Sequence, residues 1–476
     1  MSAESDAFCF TPAVELAAQI RGRQISAVEL MSAQLEHIAR VNPAINAIVT
    51  LLPERALEGA RAADDALARG ESVGPLHGLP IAHKDLVSTA GIRTTHGSRL
   101  FANHLPTRDD LIVERLRAAG AIAIGKTNTP EFGAGSQTYN EVFGPTANPY
   151  DLHTTCGGSS GGAAAALAAG MLPIADGSDM GGSLRNPASF CNVVGLRPSP
   201  GRVPSYPAEL AWSGLSVLGP MARTVGDAAL LLSAMAGPDP RSPISLPEAG
   251  HRFAAPLDRD FAGLRIAWVR DFGGLPVDRR VKKVLEAHRS TFEGLGCRVE
   301  EAEPDFTDAD EIFKVLRAWQ FAVGFSSLKP AQLAELKETI VWNIEQGRKL
   351  SADQIGQAEQ KRTRLYHRLR RFMLDYEFLV APVSQVPPFD IREPWVREVA
   401  GQSMESYIDW MKSCYYVSVT GHPAISVPCG FTTEGLPVGV QIIGRHQDDW
   451  GVLQLAHAFE KANPVWRSQP NLGESK

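Results

Sequence analysis

The chain has 476 residues, of which 44% are hydrophobic and 21% are charged, proportions that are ordinary for a globular protein and exclude a disordered one. Lys and Arg number 47 against 53 Asp and Glu, which gives a net charge of −6, and no basic run suggests direct binding to nucleic acid. The first residues lack a signal-peptide pattern, and no apolar run is long enough to span a membrane, so we expect a cytoplasmic protein that does not bind membranes.

Residues 10–70 are predicted to be helical. Ser26 and Glu29 form the S-x-x-E pattern of a capping box, and the apolar positions that follow have helical spacing until Asn42-Pro43, where we expect the helix to end.

Beyond residue 70, strand-like and helix-like segments alternate, which favours an α/β sheet. Strands are predicted at 121–125, 172–175 (before an Asp176-Gly177 turn), 264–269, 297–299, 378–383, 424–428 and 437–443, and helices at 109–119 and 277–295. Residues 308–376 are rich in helix formers and predict a helical, lid-like layer over the sheet. We therefore expect one large α/β domain over 1–476.

Residues 156–170 read CGGSSGGAAAALAAG, which places Ser159 and Ser160 between glycine pairs at the start of an alanine-rich helix. Both serines fit G-x-S-x-G, the nucleophile elbow of α/β hydrolases, but an elbow serine directly follows a strand, and residues 148–155 read as turn and loop. The alternative is a flexible turn in which either serine caps the helix.

Two other segments carry groups suited to serine chemistry. Ser183 follows a glycine pair in GSDMGGSLRNP (177–187), and Lys84 ends the apolar stretch of GLPIAHKDL (78–86). A lysine at the end of a buried strand can act as a base, because desolvation lowers its pKa. Lys126, which also ends a predicted strand, is a rival for that role.

These blocks, taken together, resemble the amidase signature family. GLPIAHKDL is similar to its lysine block, CGGSSGG to its first serine block and GSDMGGSLRNPASFCNVVGLRPS to its nucleophile block, in the expected order. Further similarity in GKTNTPEFG, FGPTANPYD, HPAISVPCG and GLPVGVQIIG extends the resemblance over most of the chain. It implies a central mixed β-sheet flanked by helices, with the signature core at about 70–200.

For the site, the resemblance implies a serine–serine–lysine triad. Ser183 would be the nucleophile, Ser159 the bridging serine after a cis peptide bond, and Lys84 the base. The oxyanion hole would be formed by the backbone amides of Met180, Gly181 and Gly182. Supporting residues would be Ser160, Asp179 and Arg185, with substrate binding as an alternative role for Arg185, and the candidates for substrate contacts are Gln137, Tyr139 and Phe143.

The resemblance further implies a hydrolase of carboxamide C–N bonds in a small-molecule amide or carbamate, with ester side activity, acting as a monomer or homodimer. We expect no cofactor, and no metal, because zinc-binding patterns such as H-E-x-x-H are absent. The aromatic residues of the predicted lid (Trp319, Phe321, Phe325 and Trp342) are expected to pack in the core, and any that faced the site would favour an apolar or aryl substrate.

Three alternatives remain at this point. The first is the glutaminase (A) subunit of a tRNA-dependent amidotransferase, although WMKSCYYVSVTG (410–421), with Asp409 as its nearest acid, lacks the N-L-A-G form typical of glutamine-using subunits. The second is a Ser-His-Asp esterase that uses one of the G-x-S-x-G matches. The third is a family member without catalytic activity, which the complete set of triad positions disfavours.

Overall fold

An eight-stranded mixed β-sheet lies at the centre of the structure, a computed structural model that describes residues 8–472. The strands are β1 (Ile48–Leu51), β2 (Pro80–Lys84), β3 (Ile122–Thr127), β4 (Ala147–Asn148), β5 (Asp151–Thr155), β6 (Ile174–Asp179), β7 (Val194–Arg197), β8 (Val217–Ala222), β9 (Arg265–Trp268), β10 (Arg298–Glu301), β11 (Phe378–Pro382), β12 (Glu398–Val399), β13 (Gln402–Ser403), β14 (Ala424–Phe431) and β15 (Pro437–Gly444).

The helices lie around this sheet. They are α1 (Ala13–Arg21), α2 (Ala27–Ile45), α3 (Pro53–Ala68), α4 (Leu111–Ala118), α5 (Gly161–Ala168), α6 (Arg185–Phe190), α7 (Val225–Met235), α8 (Arg279–Ala287), α9 (Arg289–Gly294), α10 (Ala309–Gly324), α11 (Pro330–Leu333), α12 (Glu338–Arg348), α13 (Ala352–Phe372), α14 (Lys412–Ser418) and α15 (Asp449–Ala462). Among the helices of residues 8–472, none is both long and apolar enough to cross a membrane.

The large sheet has the strand order β10-β9-β11-β15-β14-β7-β8-β6. β10, β9 and β11 run parallel, and the other neighbouring pairs are antiparallel. A smaller sheet has the order β1-β3-β2, with β2 parallel to β3. The two sheets meet where Asp176 of β6 accepts a hydrogen bond from the backbone amide of Lys84, at 3.4 Å. The predicted α/β fold with a mixed central sheet is confirmed.

Helix α5 packs against both sheets. Every residue of its sequence, GGAAAALA, is buried, and the helix contacts β2 and β3 of the small sheet and β6 and β8 of the large one. A helix that is apolar all round is stable only when it is buried all round, and its small side chains allow strands to approach it closely. The fold thus fixes the two serines at its N-terminus relative to Lys84 on β2 and to the loop after β6.

The N-terminal region contains the predicted helices and one strand, β1, that the sequence pattern does not predict. The capping box is present, because Ser26 Oγ accepts from the Glu29 amide at 3.0 Å and the Glu29 carboxylate accepts from the Ser26 amide at 2.7 Å. The helix continues through Pro43 to Ile45 instead of ending at Asn42-Pro43. It ends at Asn46, whose left-handed φ of 59° reverses the chain.

Three other local predictions are wrong. The strand predicted at 172–175 continues through Asp176-Gly177 to Asp179, since the Asp176 carboxylate is buried and bonded to β2 rather than turned to solvent. Residues 151–155, read as loop, form β5 of a short hairpin. The predicted helix at 277–295 is two helices that meet at His288, where φ of −109° and ψ of 6° interrupt the helical geometry.

Residues 308–376, predicted as a helical layer, contain helices α10 to α13. Helix α10 is amphipathic, and its buried face includes Ile312, Phe313 and Leu316. Phe313 stacks on Tyr415 of α14, with ring centroids 4.1 Å apart. This contact places α10 over the loop that follows β6.

Candidate active site

Lys84 ends β2 with a side chain that is 0% exposed. Its Nζ lies 2.8 Å from Ser159 Oγ, 3.0 Å from Ser160 Oγ and 3.0 Å from Ser178 Oγ. A lysine ammonium donates three hydrogen bonds, whereas a neutral amine donates two and accepts one. The three hydroxyls therefore satisfy either charge state, and in the neutral state one of them can donate its proton to Nζ.

Burial lowers the pKa of Lys84 to about 7, an effect that Asp176 and Asp179 only partly oppose. The two carboxylates have other partners: Asp176 lies 2.8 Å from His83 Nδ1, and Asp179 pairs with Arg185 at 3.0 Å. Near neutral pH, Lys84 is therefore uncharged in a large fraction of molecules, and an uncharged amine is a base.

Lys126 is directed elsewhere. In the parallel pairing of β2 and β3, Lys126 is opposite His83, and Thr127 is opposite Lys84. Because successive side chains of a strand point to opposite faces, the two lysines project from opposite faces of the small sheet. The Lys126 Nζ donates to the Val87 carbonyl oxygen and, at 2.9 Å, to Thr89 Oγ1.

The residues before helix α5 direct both serine hydroxyls to Lys84. The Gly158–Ser159 peptide bond is cis, as the resemblance implies. A Cβ on Gly158 would lie 2.8 Å from the backbone nitrogen of Gln137, so the position has no room for a side chain. Ser160 occupies the N-cap position of α5, but its side chain makes no capping hydrogen bond. The interpretation of this stretch as a simple helix cap is therefore not supported.

Ser183 lies in the loop between β6 and α6, which a buried ion-pair network holds. Asp179 accepts from Arg185 Nε and Nη2, both at 3.0 Å, and lies 3.3 Å from Arg197 Nη1. Burial raises the pKa of Asp179, but the two guanidinium groups outweigh this and hold it well below its usual range.

Arg185 is 0% exposed, and its guanidinium binds protein groups only. Besides Asp179, it donates to Gln441 Oε1 at 2.6 Å, Ser418 Oγ at 2.7 Å and the Cys414 carbonyl at 3.0 Å. These bonds engage the donors that a substrate would need. The geometry therefore favours bracing of the Ser183 loop over substrate binding.

The backbone amides before Ser183 differ in their hydrogen bonds. The Gly182 amide donates to Asp179 Oδ1 at 2.8 Å, so it is engaged within the loop. Within residues 8–472, the amides of Met180 and Gly181 donate to no acceptor, and both residues line the cavity that contains Ser183. Of the three amides that precede Ser183, these two are free to bind a ligand oxygen.

Ser159 and Ser183 both line a cavity of about 130 Å³. Ser159, Ser178 and Ser183 lie on its wall, together with Met180, Phe132, Phe313, Phe321, Met411 and Arg317. The described wall combines these apolar side chains with serine hydroxyls and one guanidinium, and it contains no carboxylate. Within residues 8–472, no cluster of His, Cys, Asp and Glu is suited to hold a metal ion.

The three candidates for substrate contacts lie outside this cavity. Gln137 and Tyr139 line a neighbouring cleft of about 430 Å³, which shares Gly135 with the serine cavity. Gln137 Nε2 donates to the Glu393 carbonyl. Phe143 lies under the guanidinium of Arg93, 5.0 Å from it. None of the three lines the serine cavity itself, and their contact with substrate stays a prediction.

The cavity wall instead includes residues that sequence reasoning missed. Phe313 and Arg317 are not among the candidates, yet they are spaced by four residues from each other and from Phe321, which puts all three on one face of α10. This spacing is a signal that the sequence carries. Ser178, which completes the hydroxyl set around Lys84, has no such signal beyond its place beside Asp179.

The four aromatic residues of the predicted lid lie in different surroundings. Phe321 lines the cavity, and Phe325 packs edge-on against Phe132 with ring centroids 4.9 Å apart. Trp319 packs against the main core, whereas Trp342 is 37% exposed. Two of the four thus lie in or directly behind the cavity wall.

Comparisons with known proteins match nearly the whole chain. The model of the amidase family matches residues 29–453. An acylamidase of Rhodococcus erythropolis is 37% identical over 461 residues, which is 96% of each protein. The glutamyl-tRNA(Gln) amidotransferase (A) subunit of Carboxydothermus hydrogenoformans is 36% identical over 491 residues, covering 97% of this chain and 99% of the relative.

Solved structures give the same result. The crystal structure of a bacterial aryl acylamidase of the amidase signature family superposes with a TM-score of 0.92 and 28% identity, covering 98% of this chain and 99% of the other. The match extends far beyond the serine and lysine blocks to the full sheet and its helices. The chain therefore belongs to the amidase signature family and is an amide hydrolase.

Proposed function

We propose that this amidase acts without a partner subunit on small-molecule amides with apolar or aryl groups, through an acyl-enzyme on Ser183. The observation that carries the proposal is the buried Lys84, whose Nζ lies 2.8 Å from Ser159 Oγ on the wall of the cavity that also contains Ser183. A serine hydroxyl becomes nucleophilic when a neighbouring base accepts its proton, and Lys84 with its lowered pKa is such a base.

In the first step, Ser183 Oγ attacks the carbonyl carbon of the amide. Its proton passes to Ser159 Oγ while the Ser159 proton passes to neutral Lys84 Nζ. The carbonyl oxygen gains negative charge, which the amides of Met180 and Gly181 stabilise. We leave Gly182 out of this oxyanion hole because its N–H is bonded to Asp179.

Collapse of the tetrahedral species breaks the C–N bond. The amine leaves with a proton that returns from Lys84 through Ser159, and the acyl group stays on Ser183 as an ester. A water molecule then attacks this ester, the same groups carry its proton, and the carboxylic acid leaves Ser183 regenerated. Carbamates and esters can enter the same sequence, because each presents a carbonyl carbon bonded to a leaving group.

The cavity wall supports the substrate class. Phe132, Phe313, Phe321 and Met411 present apolar surface to the space beside Ser183. Burial of apolar area is the main source of affinity in such pockets, and a few polar groups fix orientation. An acylamidase and an aryl acylamidase are among the similar proteins, which agrees with this choice.

The alternative, a glutaminase subunit, has less support from this site. Free glutamine carries an ammonium group, and the described cavity wall has no carboxylate to bind it. Asp409, the nearest acid by sequence, is bound instead to Lys314 at 2.8 Å and to Ser406 Oγ at 2.8 Å.

The proposal is tested with the isolated chain on 4-nitroanilides of benzoic and butyric acid, a phenyl carbamate, a matched ester and glutamine. We expect the isolated chain to hydrolyse the anilides without any partner and to release little ammonia from glutamine. Ser183→Ala should abolish hydrolysis of both the anilides and glutamine. Hydrolysis of glutamine in preference to every anilide, or activity only after partner proteins are added, would contradict the proposal.

A further inference from the structure

Arg317 is a buried cation on the wall of the serine cavity. It is 4% exposed, and it lines the cavity together with Ser159 and Ser183. Its Nη1 donates to Asn343 Oδ1, and its Nη2 donates to Tyr407 Oη at 2.7 Å. Both acceptors are uncharged, so these bonds orient the guanidinium without neutralising it.

Within residues 8–472, no carboxylate forms an ion pair with Arg317, and its Nε–H donates to no acceptor. A buried charge is costly unless it is paired, and arginine is the side chain best suited to bind a carboxylate through two parallel hydrogen bonds. The faces of Phe321 and Tyr407 lie 4.3 and 5.5 Å from the guanidinium carbon. They hold its plane but supply no negative charge.

A second cationic side chain, that of the half-buried Lys337, lies in the neighbouring cleft. Lys337 forms no ion pair within 4 Å among residues 8–472, although four glutamates also line this cleft (Glu131, Glu141, Glu335 and Glu338). Burial lowers its pKa to about 8, Glu131 opposes this shift, and the positive charge of Arg317 adds to it. Glu131 is itself engaged by Ser98 Oγ at 2.6 Å and by the Lys337 amide at 2.8 Å.

We infer that Arg317 is a specificity-determining residue that binds a carboxylate carried by the amide substrate. This inference rests on the proposed function and deepens it: the apolar side chains of the wall contact the body of the substrate, and the guanidinium binds its anionic end. The cavity has a volume of about 130 Å³, so an amide held at Ser183 is separated from Arg317 by only a short spacer. The same cavity wall has no acid to bind a second, cationic end such as that of an amino acid.

The test uses two matched pairs of amides, because the carboxylate can lie on the acyl or on the amine side. The acyl-side pair is the 4-nitroanilide of succinate, with one free carboxylate, against that of butyrate; the amine-side pair is 4-acetamidobenzoate against 4-methylacetanilide. In the pair whose carboxylate lies on the side that Arg317 binds, we expect kcat/KM for the anionic amide to exceed that for the neutral one by about 10- to 100-fold. This ratio corresponds to about 1.4 to 2.7 kcal/mol at 1.36 kcal/mol per tenfold.

Arg317→Met should reduce this ratio to about one, mainly through KM, and Arg317→Lys should restore part of it. Tyr407→Phe is the control for a purely structural role: it removes one acceptor of Arg317 but keeps the charge, so it should alter both members of a pair by a similar factor. A ratio that survives Arg317→Met, or that is close to one for both pairs in the wild type while neutral amides are hydrolysed, would overturn the inference and leave the proposed function standing.

Binding without turnover separates the two proposals further. In Ser183→Ala, succinamate should raise Tm more than butyramide, or 4-acetamidobenzoate more than 4-methylacetanilide, and the difference should vanish when Arg317→Met is added. If this difference is found but no amide is hydrolysed by the wild type, the carboxylate site stands and the proposed function fails. If no anionic ligand has an advantage, the carboxylate site is wrong.

Discussion

Lys84 is the last residue of β2 and Lys126 is the last but one of β3, the neighbouring parallel strand, and both are fully buried. Burial lowers the pKa of both, to about 7 for Lys84 and about 8 for Lys126. Their partners differ: Lys84 Nζ has three serine hydroxyls around it, whereas Lys126 Nζ has a backbone carbonyl and one threonine hydroxyl. A lowered pKa is therefore not sufficient for a catalytic role, and the groups within reach of the amine decide its chemistry.

The largest expected difference between the two lysines is in activity. Lys84→Met should lower kcat/KM for a nitroanilide by about 10²–10⁴-fold, the range typical of general base catalysis. The loss should be smaller for an ester with the same acyl group, because an alkoxide leaving group needs less help from a returned proton. Lys126→Met is the matched control and should stay within about tenfold of the wild type.

Near-wild-type amide hydrolysis by Lys84→Met, with Lys126→Met equally folded and much less active, would reverse the assignment. Circular dichroism of both variants separates loss of catalysis from loss of the fold.

The next largest effect is the dependence of activity on pH. If neutral Lys84 is the base, kcat/KM should rise about 100-fold between pH 5 and pH 9, with a midpoint near the lowered pKa of about 7 and a plateau above it. Asp176 opposes the lowering of the Lys84 pKa, so Asp176→Asn should move the midpoint to lower pH. Lys126→Met should leave the midpoint unchanged. A midpoint that follows Lys126→Met instead of Asp176→Asn would contradict the assignment.

The smallest effect, in stability, should be similar for the two lysines. Because the pKa of Lys84 is lowered from 10.5 to about 7 on folding, the unfolded chain binds more protons between these values, and wild-type stability rises with pH there. Lys84→Met removes this dependence. The stability of Lys84→Met, measured as its free energy of unfolding minus that of the wild type, should therefore be highest below pH 7. Above pH 7 this difference should fall by up to about 1.36 kcal/mol per pH unit.

Lys126→Met should show the same trend, with the fall beginning near pH 8. Urea unfolding of the wild type, Lys84→Met and Lys126→Met at pH 6, 7, 8 and 9 measures both pH trends. A relative stability that does not depend on pH for Lys84→Met would show that Lys84 is not buried as a largely neutral amine.

Much of the fold follows from local pattern. The capping box at Ser26, the helix near 111–118 and the strands that contain Lys84 and Lys126 are all visible in hydrophobic spacing and capping chemistry. The strand through Asp176-Gly177 is not, since these residues favour turns locally and are kept in β6 by hydrogen bonds to a distant strand. Tertiary contacts override local propensity at that position.

The candidate site divides in the same way. The lysine and serine blocks have a chemistry that sequence motifs preserve, so Lys84, Ser159 and Ser183 can be named before the structure is known. The cavity wall cannot, because Phe313 and Arg317 reach Ser183 only through the packing of α10 over the loop after β6. Of the candidates that proximity in sequence suggests, Gln137 and Tyr139 line the neighbouring cleft, and Phe143 packs under Arg93.

Covalent labelling tests most directly the claim that Lys84, rather than Lys126, activates Ser183. The wild type, Lys84→Met and Lys126→Met are treated with a fluorophosphonate, and the labelled peptide is identified by mass spectrometry at several reaction times. The account predicts a label on Ser183, formed at similar rates in the wild type and Lys126→Met and at least about 10²-fold more slowly in Lys84→Met. A label on Ser159 or Ser160 with Ser183 unmodified, or equal labelling rates in all three proteins, would contradict it.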